Sequence, residues 1–219
     1  MPDEECDELV QLAKDSAVQG WWEAFKRDLP KDYTTFIGLE AEAAESRVFE
    51  LQIVHGLLQT EEYARALILE GRSRHGAKEI GQRVAVRTER QKLLTAETDP
   101  LHLHAILDEA AIRRVVGGPE VMRAQLEYLR QLAELPNVDL QVVPFVAGAH
   151  PGVAGSFTVL RFRDKRDDSI GYVETIASQL FIERESEVRE YEDAFERLAR
   201  KALPVGDTMN VIVAAAEMI

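Results

Sequence analysis

Three arginines in the segment RVAVRTERQ have the spacing of a single helical face. Arg83, Arg87 and Arg90 follow one another at intervals of four and three residues, so on a helix they project within a narrow arc. Guanidinium groups bind carboxylates and phosphates through paired hydrogen bonds. The spacing therefore predicts either a clamp for an anionic ligand or acidic partner, or a network of internal salt bridges. The acidic candidates for such a network are Glu40, Asp108 and Glu109.

Two histidines, His102 and His104, lie two positions apart in the alternating segment LHLHAILD. On a strand they share one face with Asp108, and imidazole and carboxylate groups are ligands that zinc accepts. Such a pair needs no metal when it faces solvent or lies under a helix. We therefore expect no structural metal and no cofactor.

His150 lies in the glycine-rich segment AGAHPG of a long loop. A histidine there could act as a general acid or attack a phosphoryl group. Phosphodiesterases of the phospholipase D type need a lysine two residues after this histidine, and Gly152 stands there instead. We interpret the loop as a ligand gate or an interface, with a plain turn as the alternative.

The common signatures of catalysis are missing from the sequence. It contains no GxxxxGK[ST] phosphate loop, no GxGxxG, no GxSxG nucleophile elbow and no HExxH zinc motif. This lowers the expectation of an enzyme.

The charge balance disfavours partners that are themselves anionic. With 39 Asp and Glu against 26 Lys and Arg, the formal net charge is -13, so the long-range field repels nucleic acids and anionic membranes. No apolar run approaches the roughly 20 residues that cross a bilayer, and the acidic start MPDEECDE does not resemble a signal peptide. A single cysteine, Cys6, fits a reducing compartment. These features predict a cytoplasmic protein.

Hydrophobic periodicity predicts an α/β fold in which helices pack on a sheet. Alternating apolar residues predict five or six strands, of which two are joined by the charged turn DKRDD as an antiparallel hairpin. We expect a mixed, mainly antiparallel sheet. The predicted strands are RVFELQIV, LHLHAILD, VDLQVVP, SFTVLRFR, SIGYVET and, as the optional sixth, SQLFIE.

Helical spacing and capping residues predict the helices that flank this sheet. They are predicted through LEAEAAES, through TEEYARALILE with Thr60 as N-cap, from about Lys78 to Leu94, in EAAIRRVVGG, from Pro119 to just before Pro136, in ERESEVREYEDAFERLARKAL, and in a final short helix capped by Asp207.

The first residues predict an amphipathic helix that ends near Gly20. Trp21, Trp22 and Phe25 follow in a polar bridge; they either anchor the helix to its own domain or dock a neighbouring domain or second protomer. We therefore divide the chain into a helical linker (1–35), a regulatory or partner-binding domain (36–205) and a C-terminal helix (206–219).

A series of motifs resembles a known family. FIGLEAEA, HGLLQTEEYARA, VRTERQKLL, LDEAAIRRVVGGPEVMRAQLEYL, PNVDLQVVPFVAGAHPGVAGSFTVLRF and YVE occur in this order. Together they resemble the C-terminal domain of unknown function in antitoxin-like, Xre-family helix-turn-helix transcriptional regulators, from Phe36 to the C terminus. ELVQLAKDSAVQGWW is similar to the linker that follows the DNA-binding helices there. His55 departs from the family, in which proline usually precedes GLLQT.

The resemblance implies a non-enzymatic regulatory domain that senses a signal or binds a partner, often one encoded next door. Its expected partners are a small protein or an anionic small-molecule effector, with homodimerisation as an option and no membrane. DNA contact would belong to an N-terminal helix-turn-helix, which we expect this chain to lack because it begins within the linker.

The ligand or partner site is expected where GLLQTEEYARA meets the RVAVRTERQ helix. A loop that enters a helix offers free backbone amides, and the arginines add charge-assisted hydrogen bonds. The candidate site residues are His55, Leu57, Gln59, Thr60, Tyr63, Arg83, Arg87, Arg90 and His150.

Two other functions stay open. One is an enzyme or degenerate enzyme for a phosphorylated or carboxylated small molecule, with Arg87, Arg90, His55 and His150 around its pocket. The other is a dimerisation module built from the tryptophan pair and the terminal helices. An open pocket with perturbed histidine pKa values would favour the enzyme, whereas arginines in salt bridges with no cavity beside them would favour the dimerisation module.

Overall fold

A six-stranded sheet forms the centre of the described part of the chain, which comprises residues 29–71, 76–164, 168–176 and 178–219 of a computed structural model. The strands are β1 (Ala43–Glu50), β2 (His102–Asp108), β3 (Val138–Val143), β4 (Phe157–Phe162), β5 (Ile170–Glu174) and β6 (Gln179–Ile182). Their order across the sheet is β3-β2-β1-β4-β5-β6. The β1–β2 and β2–β3 pairs are parallel, and the other three pairs are antiparallel. The predicted mixed, mainly antiparallel sheet is confirmed.

Seven helices flank this sheet in the described residues. They are α1 (Lys31–Glu42), α2 (Glu61–Gly71), α3 (Ala77–Gln91), α4 (Glu109–Arg113), α5 (Pro119–Leu132), α6 (Glu185–Lys201) and α7 (Val205–Glu217). Parallel neighbours require a crossover connection. Helices α2 and α3 supply it between β1 and β2, and α4 and α5 supply it between β2 and β3.

Helices cover both faces of the sheet. Successive strand residues point to opposite faces, so neighbouring residues on a strand belong to different clusters. Val48 belongs to the main core, together with Leu126 of α5 and Ile212 of α7. Its neighbour Phe49 belongs to a second cluster, with Phe195 of α6. We call the side that carries Val48 the main face and the side that carries Phe49 the α6 face.

Local sequence signals set several element ends as predicted. Thr60 Oγ1 accepts a hydrogen bond from the Tyr63 amide at 3.2 Å and so caps α2. Gly117 has a φ of +71° before α5, and a Cβ there would lie 2.9 Å from Val121 Cγ1. Glycine meets both demands, because it has no Cβ and adopts positive φ readily.

Several predicted boundaries differ from the structure. The strand predicted over RVFELQIV ends at Glu50, and the short helix predicted in EAAIRRVVGG ends at Arg113. The helix through LEAEAAES ends at Glu42, and 43–46 begin β1 instead. Ala43 and Ser46 are buried in the sheet, so strand pairing overrides the helix propensity of this alanine- and glutamate-rich segment. The final helix begins at Val205, which places Asp207 in its first turn rather than at the N-cap.

Both described terminal helices pack into the same unit as the residues between them. α1 crosses the predicted boundary at residue 35 and buries Phe36 and Ile37, and α7 contributes Ile212 and Ala215 to the main core. The predicted N-terminal helix and the tryptophan pair lie outside the described residues. Within the described residues, none of the helices has the length and apolarity needed to span a membrane.

Candidate functional site

A row of polar side chains crosses the sheet at the edge where the parallel strands end. Phe49 pairs with Phe157, and Thr158 pairs with Tyr172. The same registers place Glu50, Ser156 and Glu174 side by side on the main face, one step beyond these pairs. We call this set the edge row. It lines a pocket of about 230 Å³ together with Gln52, Ile53, Phe157, Thr158 and Tyr172.

Glu50 is held in the edge row with an unusual protonation equilibrium. Burial raises the pKa of its carboxyl to about 7. A hydrogen bond from Ser156 and the charge of Arg87 act against this shift, and the carboxylate of Glu174 adds to it. Ser156 Oγ also accepts a hydrogen bond from the Leu51 amide at 3.0 Å. Near neutral pH the Glu50 carboxyl is therefore present in both the protonated and the ionised form.

Tyr172 lines the same pocket and carries a buried hydroxyl group. Its side chain is buried, with 5% exposure, and its ring stacks on Phe36 at a centroid distance of 4.0 Å. Burial and the charge of Glu174 raise the pKa of this hydroxyl. Tyr172 Oη has no hydrogen-bond partner among the described residues. An unpaired buried hydroxyl is unfavourable by roughly 1–3 kcal/mol, so this group has capacity for a ligand.

The arginine face of α3 is largely satisfied from within the chain. Arg90 forms a buried fork with Glu40, at 2.7 and 2.8 Å, and donates to the Tyr33 hydroxyl at 2.9 Å. Arg83 forms an ion pair with Glu79 at 3.3 Å. These pairs reduce the positive charge that the face offers to an outside anion.

Arg87 is the member of this face that keeps an unused donor. Its Nη1 donates to Gln59 Oε1 at 2.8 Å, while its buried Nε has no partner among the described residues. The predicted clamp for an anionic ligand therefore depends on this one side chain.

The GLLQT segment is joined to its surroundings by a buried polar network. Gln59 Nε2 donates to the Val54 carbonyl at 2.6 Å, and the Val54 amide donates to the Tyr63 hydroxyl at 3.2 Å. Gln125 of α5 accepts from the Thr60 amide at 2.7 Å and donates to the Leu58 carbonyl at 2.6 Å. The amide and carbonyl of Val54, the Leu58 carbonyl and the Thr60 amide are thus occupied from within the chain.

His55 begins this segment as a buried, neutral side chain. Its Nδ1 accepts a hydrogen bond from the Leu57 amide at 3.4 Å. Burial, together with the charges of Arg90 and Arg87, lowers its pKa to about 3. Its φ of -59° is a value that proline adopts, so the departure from the family's usual proline leaves the turn geometry intact.

His150 lies apart from these groups and fastens the long loop to the sheet. Its Nε2 is 3.3 Å from Asp108 Oδ2, and its ring meets Phe49 edge-on on the α6 face. Gly152 lies so close to Phe49 that a Cβ would be 2.1 Å from its ring. Asp108 Oδ1 caps α4 by accepting from the Ala110 amide at 2.8 Å. His150 and Gly152 therefore hold the loop against the ends of the strands.

His102 and His104 have protein partners. His102 Nε2 lies 3.2 Å from Asp139 Oδ2, and His104 Nε2 lies 2.8 Å from Gln141 Oε1. Among the described residues, no group of three or more His, Cys, Asp or Glu side chains is placed to hold a metal ion.

A family model described as a domain of unknown function, DUF5753, matches residues 33–213. The chain belongs to the DUF5753 family. No curated protein and no solved structure matches it.

The DUF5753 domain brings together most of the residues that the sequence analysis grouped. His55, Gln59, Arg87 and Arg90 meet between the GLLQT segment and α3, with Thr60 and Tyr63 directly behind them. Leu57 is fully buried in the main core. His150 is packed against Phe49 on the α6 face.

Sequence reasoning missed the edge row and Tyr172. Glu50 and Glu174 lie more than a hundred residues apart in the sequence. Glu50 falls in the middle of the predicted strand RVFELQIV, whereas Ser156 and Glu174 lie at or next to the ends of theirs. Only the pairing order β1-β4-β5 and its register bring them into one row. No local signal in the sequence marks these three residues as a set.

Proposed function

We propose that this DUF5753 domain is a signal-sensing or partner-binding regulatory domain of a bacterial, antitoxin-like helix-turn-helix transcriptional regulator, and that it performs no chemistry. The motif resemblance supports the link to such regulators. The observation that carries the sensing role is the edge-row pocket, in which the buried Tyr172 hydroxyl has no partner among the described residues. A pocket with an unsatisfied group favours ligand binding.

The arrangement of the histidines supports binding over catalysis. His55 is buried and neutral, so near neutral pH it is not the protonated imidazolium that would act as a general acid. His150 is fixed to Asp108 behind Phe49, and neither histidine lines the edge-row pocket. A nucleophile and base pair of the usual kind requires direct contact between the two side chains.

The arginine pairs bear on the nature of the effector. Glu40 and Glu79 neutralise two of the three guanidinium groups that we expected to bind an anion. The edge-row pocket instead presents the carboxyl groups of Glu50 and Glu174. The proposal therefore places the effector at the edge row and leaves the arginine face as an internal support for α3.

A genetic experiment tests the regulatory role. The gene is deleted, and transcripts are measured in the deletion strain and after complementation with the wild-type, Tyr172→Phe and Glu97→Gln genes. Tyr172→Phe removes only the unpaired hydroxyl, whereas Glu97 is an exposed residue away from the pocket. We expect a defined set of neighbouring transcripts that wild type and Glu97→Gln restore and Tyr172→Phe does not. Unchanged transcripts in the deletion strain would refute the regulatory role.

Sequencing the DNA upstream of the Met1 codon provides a second test. An in-frame helix-turn-helix would support the assignment to a DNA-binding regulator. An upstream stop codon in the same frame would contradict it and favour a stand-alone domain.

A further inference from the structure

We infer that the edge-row pocket binds a small aliphatic amine, with its ammonium group between the carboxyl groups of Glu50 and Glu174 and within reach of the Tyr172 hydroxyl. The inference refines the proposed function by naming the chemical class of the effector. It depends on that function only for its regulatory meaning, because binding itself can be measured on the chain alone.

The spacing of the strands gives the pocket its shape. Glu50 of β1 and Glu174 of β5 flank Ser156, which directly precedes β4. Neighbouring strands lie about 4.8 Å apart, so β1 and β5 are separated by roughly 10 Å. The two carboxyl groups therefore lie on opposite sides of a space above the small Ser156 side chain. An ammonium group placed there has an acceptor on each side.

The charges around Glu50 favour a cation over an anion. Glu174 faces it from β5, Arg87 from α3, Tyr63 from α2 and Ser156 from the position just before β4. Arg87 already donates to Gln59 and does not line the pocket. An entering carboxylate would meet two carboxyl groups, whereas an ammonium would relieve the repulsion between them.

The Tyr172 side chain supports the site independently of the two carboxyl groups. Its side chain lines the pocket and is 5% exposed, and its Oη has no partner among the described residues. Phe36 stacks on its ring at a centroid distance of 4.0 Å. A phenolic oxygen can accept a hydrogen bond from an ammonium and donate one to a carboxylate. It therefore suits a site where both groups meet.

The volume limits the size of the ligand. A pocket of about 230 Å³ is smaller than the range of roughly 300–1,000 Å³ that holds drug-sized molecules. An amine with a short carbon chain fits this space. Gln52 and Ile53 offer a mixed polar and apolar wall for the chain.

Calorimetry with three probes of equal chain length tests the inference. 1,4-Diaminobutane, butane-1,4-diol and succinate share four carbons and differ in charge. We expect the diamine to bind with a Kd below about 1 mM, and the other two to bind at least tenfold more weakly. Failure of the diamine to bind, or equal binding of the diol, would overturn the inference.

Matched variants separate the site from the general acidity of the chain. Glu174→Gln should weaken diamine binding about tenfold, the effect of losing one charge-assisted hydrogen bond, and Tyr172→Phe should weaken it several-fold. Glu97→Gln changes the net charge as Glu174→Gln does but lies elsewhere on the exposed surface, so it should leave the affinity unchanged. Equal losses in Glu97→Gln and Glu174→Gln would show nonspecific attraction. Thermal melts check folding, and the exposed Glu174 keeps the test valid if Tyr172→Phe is unstable.

The protonation of Glu50 supplies a second, independent readout. Burial raises the pKa of this carboxyl to about 7, so an ammonium beside it should displace a proton. Diamine affinity should rise from pH 6 to pH 8, and titrations in phosphate and MOPS buffers should reveal proton release. Glu50→Gln should remove both effects. A pH-independent affinity for the wild type would contradict the assigned position.

The two proposals fail in different ways. Diamine binding without any transcript change in the deletion strain would leave the amine site in place and refute the regulatory role. A Tyr172-dependent transcript response without diamine binding would support the regulatory role and refute the amine.

Discussion

Arg90 shows how one residue can look like a ligand clamp in sequence and be structural in the fold. Its guanidinium is buried, forms the fork with Glu40 and lies 5.3 Å from the centroid of the Phe36 ring. Both members of this pair were desolvated on folding. Removing only one member of the pair should therefore destabilise the fold strongly, because the other charge stays buried without a partner.

We predict that Arg90→Ala lowers the free energy of unfolding by about 3–5 kcal/mol, because Glu40 is left buried without its partner. Urea unfolding measures the change. Arg65→Ala is the control, since it breaks a solvent-exposed pair with Glu61 and should change stability by less than about 1 kcal/mol. The double variant Glu40→Leu with Arg90→Met should recover most of the loss. A stable Arg90→Ala protein with weakened partner binding would reverse the assignment.

His55 links the protonation state of one side chain to folding. Its pKa is about 3 in the folded chain and about 6.5 when unfolded. Between these values the unfolded chain binds a proton that the folded chain does not, so stability falls as the pH drops below 6.5. At pH 5 the loss from this residue is about 2 kcal/mol relative to pH 7.5.

We predict that His55→Pro removes this pH-dependent loss while keeping the fold. The φ of -59° suits proline, and the residue 55 carbonyl still accepts from the Leu58 amide at 2.9 Å. The variant should gain roughly 0.5–1 kcal/mol at pH 7.5 from reduced unfolded-state entropy, offset in part by the lost Nδ1 hydrogen bond. Unfolding curves at pH 5 and pH 7.5 measure both effects. An equal pH response in the two proteins would show that His55 is not the titrating group.

At the scale of elements, the C-terminal helix α7 closes the sheet edge at β3. The Leu203 amide donates to the Val142 carbonyl at 2.8 Å, and the Val142 amide donates to Thr208 Oγ1 at 3.1 Å. Gln141 Nε2 donates to the Leu203 carbonyl at 2.9 Å. These bonds satisfy part of an edge strand that would otherwise expose unpaired backbone groups.

We predict that Thr208→Val lowers the free energy of unfolding by about 1–3 kcal/mol, because the Val142 amide stays buried without an acceptor. Valine has nearly the shape of threonine, so packing around the fully buried position is retained. Thr95→Val, at an exposed position, is the control and should be nearly neutral. Hydrogen exchange of the Val142 amide measures the local effect, and unchanged protection would argue that α7 is docked by its apolar contacts alone.

At the scale of the whole molecule, net charge governs encounters with other macromolecules. A formal charge of -13 opposes approach to DNA, whose binding depends on neutralising phosphates and releasing their counterions. Specific readout would also need a helix or strand presented to a groove. The acidic chain is thus suited to contacts with cationic ligands or basic protein surfaces.

We predict that the isolated chain does not bind duplex DNA at physiological salt. A mobility-shift titration with the promoter-proximal DNA of its own gene tests this. A matched fusion to a helix-turn-helix domain should bind and serves as the positive control. Micromolar, sequence-specific binding by the isolated chain would contradict the prediction.

Local patterns were sufficient to predict most secondary structure and the class of the fold. Alternating apolar residues identified β2 and β3, and Thr60 and Pro119 marked helix starts, because these signals act within a few residues. The ordered motifs indicated a domain of unknown function, and a family model for such a domain matches residues 33–213. The charge balance, which needs no fold at all, disfavoured nucleic acids as direct partners.

The tertiary structure alone decided which polar residues are free to bind. Arg90 and Arg87 share a helical face that the sequence predicts, yet only the packing of α1 brings Glu40 to one of them. Glu50, Ser156 and Glu174 carry no local signal, and their row exists because β1, β4 and β5 pair in a particular order and register. Strand pairing across long sequence separations depends on the burial of both sheet faces at once. No local sequence pattern encodes this long-range pairing, so the edge row can be identified only from the folded chain.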